Sequence, residues 1–212
     1  MTLYRPTHFR VDETGELFAF MQAHAFATLV SGGEEGLDVS HVPLLAQRDA
    51  DGTIRLQGHM ARANPQWDAL ETAQHVLAIF QGPHAYVSPS WYASHPAVPT
   101  WNYAVVHARG PVRPLDDAQL HELLERLSTT YEGDRERAWR MAEQPPEFIA
   151  KMKRAIVGFE MLVVSLEGKF KLSQNRPEDF ERVVAALESE GEAQLARLMR
   201  AHAPKPKSRI TS

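Results

Sequence analysis

The sequence predicts an α+β protein that is mainly β, a small antiparallel barrel decorated with helices. Three observations point there. Short apolar-alternating runs follow one another with turn signals between them (GGEEG at 32–36, DADG at 49–52). The first half of the chain has no room for the long helical crossovers that a parallel sheet requires. Clear helical periodicity is confined to a stretch beginning near Asp116 and to the C-terminal part.

Taken in order, Asp12 is a candidate cap for a helix carrying Leu17, Phe18, Phe20 and Met21, which His24 and Ala25 end. FATLVS (26–31) reads as a buried strand, and residues 37–45 as its return strand, with Val39 and His41 on one face and Ser40 and Val42 on the other. Residues 53–60 form the next strand. Asn64 as N-cap and Pro65 at the first helical position then start a short helix with Trp67 and Leu70 on its packed side. Residues 76–80, 85–87 and 101–109 follow as strands, with Gly82 and Pro83 as turn-makers. Beyond Asp116 and Asp117, Leu120, Leu123, Leu124 and Leu127 fall at i, i+3, i+4 and i+7, an amphipathic helix. A second helical piece follows Pro145-Pro146. Residues 157–164 are β-rich, 169–172 alternate charge with apolar residues, and 177–202 read as one or two helices. In total this gives roughly seven or eight short strands.

Composition narrows the function classes. The chain of 212 residues is 43% hydrophobic and 24% charged, with a formal net charge of -4 and no cysteine. Disulfides, thiolate metal sites and thiol nucleophiles are excluded, and a cytoplasmic setting is expected. No apolar run approaches the ~20 residues of a membrane span, and no secretory leader is expected. A dedicated nucleic-acid module usually carries a basic face, and the one cationic cluster is Lys205, Lys207 and Arg209 in a Pro-rich tail. No dinucleotide fingerprint, P-loop or nucleophile elbow occurs. HELLE (121–125) departs from a zincin helix at its last position, where Glu stands for the second His.

Two stretches carry the chemistry. Residues 79–110 gather Phe80, Tyr86, Trp91, Tyr92, Trp101 and Tyr103 among Gly and Pro, suiting the wall of a pocket for a flat polar ligand or a subunit interface equally well. His84, Tyr86 and Ser88 are candidate pocket residues. Upstream, GHMARANPQW (58–67) reads as a strand-to-helix corner. Its helix N-terminus, with Arg62 just before it and His59 on the strand leading in, suits a phosphate. The alternative is a capped helix beside a solvated Arg. His41, His59, His84 and His107 fall on strands without metal-ligand spacing, so no metal is expected. KFKLSQN (169–175) reads as a charged edge strand, or else as a polar lid or a second anion contact.

HFR (8–10), FATLVS (26–31), SHVPLL (40–45), GHMARANPQW (58–67), FQGPHAYVSPSWY (80–92), VPTWNY (98–103) and AIVGFE with LEGKFKLSQN (155–175) resemble, in order, the PaiB-type family described as FMN-binding negative transcriptional regulators. The resemblance implies an FMN-binding split β-barrel, as in pyridoxamine phosphate oxidases and flavin reductases, whose dimers hold two flavins at the subunit interface. It implies a split-barrel domain over 1–175 with a helical insertion at about 116–154, then a C-terminal helical extension and tail over 176–212. It places Ser40, His41, Val42 and Pro43 along the isoalloxazine and Arg62, Ala63 and Asn64, with His59, at the phosphate. Trp101 and Asn102, from the second subunit, and Lys171 and Gln174 complete the site. The corner carries fewer cations than the pyridoxamine oxidase branch, which implies a weaker hold on FMN or a different natural ligand. The leading expectation is a homodimeric FMN-binding regulator whose repression is indirect, DNA being a partner by resemblance only. The alternatives are a flavin-dependent oxidoreductase acting on a small molecule and a haem-binding split barrel with a histidine as axial ligand.

Overall fold

Burial alternates residue by residue over 27–32, 76–82 and 101–110, and the strands build two sheets. The computed structural model describes residues 3–33, 36–73, 76–133 and 135–204. Among them run β1 (Arg10–Val11), β2 (Phe26–Gly33), β3 (Gly36–Pro43), β4 (Leu45–Arg48), β5 (Ile54–Ala61), β6 (Val76–Val87), β7 (Thr100–Gly110), β8 (Val112–Pro114), β9 (Ile156–Leu162) and β10 (Ser165–Lys171). The helices are α1 (Thr14–Ala23), α2 (Gln66–Thr72), α3 (Asp117–Glu132), α4 (Pro146–Arg154), α5 (Phe180–Ser189) and α6 (Ala193–Ala201). One sheet has the order β1-β10-β7-β6-β2-β3 and the other β4-β5-β9-β8. The chain divides into two compact units, Thr14–Phe80 with His107–Leu166, and Met1–Glu13 with Gln81–Val106 and Glu167–Ser212.

In the first unit, β2 and β3 pair antiparallel with Thr28 opposite His41 and Leu29 opposite Ser40. The hairpin expected at 32–36 is seen in the Gly33–Gly36 pairing; its tip, Glu34 and Glu35, lies outside the described residues. The expected return strand over 37–45 breaks at Leu44, whose N–H donates to Ala25 O at 2.8 Å and whose side chain is buried. That corner moves the chain from one sheet to the other. Gly58 on β5 makes room for it: a Cβ there would lie 2.7 Å from Leu44 Cδ2 and 3.0 Å from Pro43 O. Gly110 serves the same end at the β7–β8 corner, where a Cβ would fall 1.7 Å from Leu162 O.

Arg55, Gln57 and His59 share one face of β5, opposite Ile54, Leu56 and Met60, which are in the core. The register sets Gln57 beside Glu160 on β9, and Glu160 beside Arg113 on β8. α3 packs on β9 through the expected Leu120, Leu123 and Leu127. Its N-terminus is closed by a reciprocal capping box between Asp116 and Gln119. Gly158 lets α3 approach, since a Cβ there would meet Leu120 Cδ1 at 2.9 Å.

In the second unit, β10 lies between β1 and β7, so KFKL is an interior strand and not the expected charged edge. Lys169 is buried there, with Tyr4 and Tyr103 rings 5.1 and 5.4 Å from its Nζ. These aromatic faces replace the water that an edge lysine would keep. The residues read as a turn, Gly82 and Pro83, lie inside one continuous 12-residue strand, β6. The rungs from β2 to β6 involve Leu77 to Ile79, and Pro83, lacking an N–H, lies beyond them. α5 and α6 bury Phe180, Val183, Val184 and Leu187, and Leu195, Ala196 and Met199.

Candidate functional site

The corner between β5 and α2 holds its shape through Asn64. Its Nδ2 donates to Ser40 Oγ at 2.8 Å, and its Oδ1 accepts from Gln66 N at 3.0 Å. Asn64 thus caps the turn as expected, while regular helix starts at Gln66, Pro65 being helical in backbone angle at φ -65° and ψ -17°. α2 has only seven residues, so it offers local N–H donors rather than a sizeable macrodipole. The segments SHVP and ARANP, far apart in sequence, are therefore neighbours.

Arg62 does more structural work than expected. Its Nε donates to Arg154 O at 3.0 Å and its Nη2 to Ile156 O at 3.1 Å, while its N–H donates to Ala155 O at 2.8 Å. These carbonyls lie where α4 ends, and a guanidinium is well suited to that end of a helix. Its Nη1 and the Ala63 N–H have no partner among the described residues and remain available to an anion.

His41 stands on the exposed face of the β2–β3 hairpin, its Nδ1 3.1 Å from Thr28 Oγ1 and its ring stacked on Phe26 at 6.3 Å between centroids. Val42 points the other way into the core, and Pro43 flanks the corner. His59 is on the opposite face of β5 from Gly58 and Met60, toward α3 and α4. Its Nδ1 is buried without a hydrogen-bond partner, and burial holds the ring below the usual histidine range, hence neutral.

Gln66 is the residue that sequence reasoning passed over. It is buried, and its Nε2 is shared among Leu29 O, Ser31 Oγ and Asp38 O at 3.1–3.2 Å, leaving Oε1 without a partner. The only sequence signal was its place beside the Asn-Pro cap.

In the second unit, Trp101 is 54% exposed and meets Tyr86 edge-on at 6.1 Å, with His84 at 6.4 Å. Lys171 donates to Thr100 Oγ1 and Trp101 O; burial, with Lys169 adding repulsion, holds its ammonium below the usual lysine range. Asn102 is buried, donating to Ser173 Oγ at 2.9 Å, and Gln174 closes its own turn by accepting from Leu172 N and donating to Phe170 O. Of these four side chains, the Trp101 ring is the one left open to a flat ligand.

Sequence reasoning also missed Asp179. Fully buried, it accepts from Ala93 N at 2.7 Å and Ser94 Oγ at 2.6 Å, and so ties the aromatic loop after β6 to the start of α5. The Ser94 hydrogen bond leads the effects that, against burial, hold its carboxyl below the usual aspartate range. Arg176 over Tyr92 at 4.5 Å and Arg182 Nε to Trp91 O at 3.1 Å complete the clamp. Among the described residues, no group of three or more His, Cys, Asp or Glu could hold a metal ion.

FMN offers phosphate oxygens as acceptors, ribityl hydroxyls that both donate and accept, and an isoalloxazine edge with one N–H donor. The corner offers the complement: the Ala63 N–H, the remaining Arg62 donor and the Ser40 hydroxyl. The donor set fits the cofactor, with one cation rather than several at the phosphate.

The model of a family described as "Putative FMN-binding domain" matches residues 3–165. The chain is 36% identical over 201 residues to the Protease synthase and sporulation protein PAI 2 of Bacillus subtilis, covering 93% of this chain and 96% of that protein. Among solved structures it is similar to the flavocytochrome Anf3 of Azotobacter vinelandii, with a TM-score of 0.60 at 17% identity, covering 76% of this chain and 69% of that one. It is also similar to an FAD and heme binding protein of Mycobacterium smegmatis, with a TM-score of 0.56 at 14% identity, covering 76% and 73%. At these identities the structural likeness speaks for the fold alone. The fold class is the expected one, mainly antiparallel β of split-barrel type with added helices.

Proposed function

This chain belongs to the PaiB-type family of FMN-binding domains, and on that premise we propose that it binds FMN at the β3–β5 corner as a homodimer with a regulatory role. The observation that carries the reading is the Asn64–Ser40 hydrogen bond, which joins two of the segments that carry the resemblance into one polar corner. In this reading Ala63 N–H and the free Arg62 donor meet the phosphate, Ser40 meets the ribityl chain, and Gln66 braces the corner from beneath. His41, Val42 and Pro43 border the ring. Trp101, an exposed ring of the second unit, is the candidate to cover the flavin from the other subunit; Asn102, Lys171 and Gln174 support it through the bonds they already make. Bound FMN supplies the redox chemistry, and the protein supplies position and hydrogen bonds.

Dimerisation is supported by large apolar side chains left open on the β2–β3 hairpin, Phe26 at 70% and Leu37 at 76%. The net charge of -4 favours regulation through a partner over direct DNA contact. The test is a titration of purified protein with FMN, followed by quenching of flavin fluorescence. Saturable binding that weakens about tenfold in Asn64→Ala, the equivalent of ~1.4 kcal/mol, supports the reading. Absence of binding by the wild type up to high micromolar FMN overturns it. Light scattering on the eluting peak checks the dimer, with Phe26→Asp expected to yield monomer.

A further inference from the structure

α4 is amphipathic, yet none of its residues is buried. Its apolar side chains, Phe148, Ile149 and Met152, face a cavity of about 490 Å³ roofed by α3 and floored by β5 and the start of β9. Trp139 forms a further wall, fixed by its own backbone: its N–H donates to Glu132 Oε2 at 2.9 Å and its C=O accepts from Ser128 Oγ at 3.0 Å. Trp139 and Phe148 remain 43% and 45% exposed, so the cavity has an open mouth. Its size is that of a small-molecule site. At its floor stands His59. The residue beside it across the ladder is Gly158, which places no side chain over the imidazole.

We propose that this cavity is a second ligand site, separate from the flavin corner, and that it takes an uncharged aromatic molecule bearing one hydroxyl, a phenol-class ligand held by His59. Three features select that class. Tyr131, Trp139 and Phe148, with the thioethers of Met141 and Met152, make walls suited to an aromatic ring. His59, half-buried, brings an imidazole into the lining of the cavity, beside Ser128, Glu132 and Lys153. A hydroxyl both donates and accepts, so it can pair with the imidazole nitrogen that the cavity reaches in either tautomer. A net charge on the ligand is disfavoured, because Lys153, the cation on the wall, already donates to Asp117 Oδ1 and O at 2.8 and 2.9 Å. His59 thereby has a role different from the phosphate contact that the sequence led us to expect.

The probe is 2-naphthol, with naphthalene as the partner lacking the hydroxyl. Each is measured by equilibrium dialysis against the full chain with and without saturating FMN. The wild type should bind a single equivalent of 2-naphthol about tenfold more tightly than naphthalene, with FMN making no difference. His59→Leu should remove that preference while keeping the affinity for naphthalene. Met152→Trp, which fills the mouth from a partly exposed position, should abolish binding of both and guards against misfolding of the His59 variant. Failure of 2-naphthol to bind, its displacement by FMN, a preference that survives in His59→Leu, or unchanged binding by Met152→Trp would each overturn the assignment. The FMN titration of the unaltered chain reports on the flavin corner independently of all four.

Discussion

Replacing Glu160 by Gln tests how the helical cover is fastened to the second sheet. The Glu160 carboxylate is 5% exposed and accepts from Gln57 Nε2 at 2.6 Å, Arg55 Nη1 at 3.1 Å, and Arg113 Nε and Nη2 at 3.1 and 2.8 Å. Gln57 in turn accepts from Arg126 on α3, so the network reaches from three strands into the helix. Burial alone pushes the carboxyl up. The Gln57 hydrogen bond and the charges of Arg113 and Arg55 outweigh it, and the group titrates below the usual glutamate range.

In the Gln variant an N–H₂ group replaces an acceptor among donors. Charge-assisted bonds of ~1.5–3 kcal/mol fall to neutral ones or are lost. Both arginines are partly exposed, which moderates the loss, so we expect about 2–3 kcal/mol in total. For a chain of this length that lowers Tm by roughly 4–12 °C. The assay is thermal unfolding followed by circular dichroism from about pH 7.5 down to about pH 3. Because the folded carboxyl is depressed, its contribution is complete above the unfolded glutamate pKa and disappears as pH falls through the folded one. The gap between wild type and variant should therefore close in acid. Equal Tm values at neutral pH, or a gap independent of pH, would refute this account.

Two further outcomes follow from buried groups. Asp179→Asn removes the charge that holds Ala93 N and Ser94 Oγ; we expect a loss of about 1–3 kcal/mol and faster proteolysis within residues 88–99, read by limited digestion and mass spectrometry. Gly110→Ala drives a Cβ to within 1.7 Å of a backbone oxygen that cannot swing away; a loss of at least ~3 kcal/mol in urea denaturation is expected, and a neutral result would mean that the β7–β8 corner is looser than described.

What the sequence revealed is what local physics encodes. The hydroxyl and amide pattern of Asn64-Pro65-Gln66 is a cap wherever it occurs, and the spacing of Leu120, Leu123 and Leu127 is a helix stripe whatever it packs against. Sheet membership is different. Residues 37–45 read as one return strand, and only the partner strands reveal that Leu44 is where the chain changes sheets. Lys169 read as an edge charge because the rings that cover it, Tyr4 and Tyr103, are remote in sequence. Asp179 was silent for the same reason, its acceptor role being defined by residues 85 or more positions away. For His59 the strand was legible but its environment was not: alternation predicts that it opposes Met60, yet not that a helix without buried residues leaves a cavity over it.

Arg62 is where the two readings of the corner compete, and two substitutions separate them. As a phosphate ligand it contributes charge; as a tie to α4 it contributes a fork that reaches Arg154 O and Ile156 O together. Lys keeps the charge and cannot make both bonds. If the fork matters, Arg62→Lys and Arg62→Ala lose similar stability, about 1–2 kcal/mol for two hydrogen bonds to carbonyls at an exposed position. If the charge serves FMN, the Lys variant keeps flavin affinity near that of the wild type, while the Ala variant weakens it about tenfold. The expected pattern is therefore split: thermal unfolding groups Lys with Ala, and FMN titration groups Lys with Arg. A Lys variant as stable as the wild type would show that the carbonyl contacts carry no net weight. An Ala variant that binds FMN undiminished would assign the phosphate to backbone N–H donors such as Ala63, and leave Arg62 with the structural task alone.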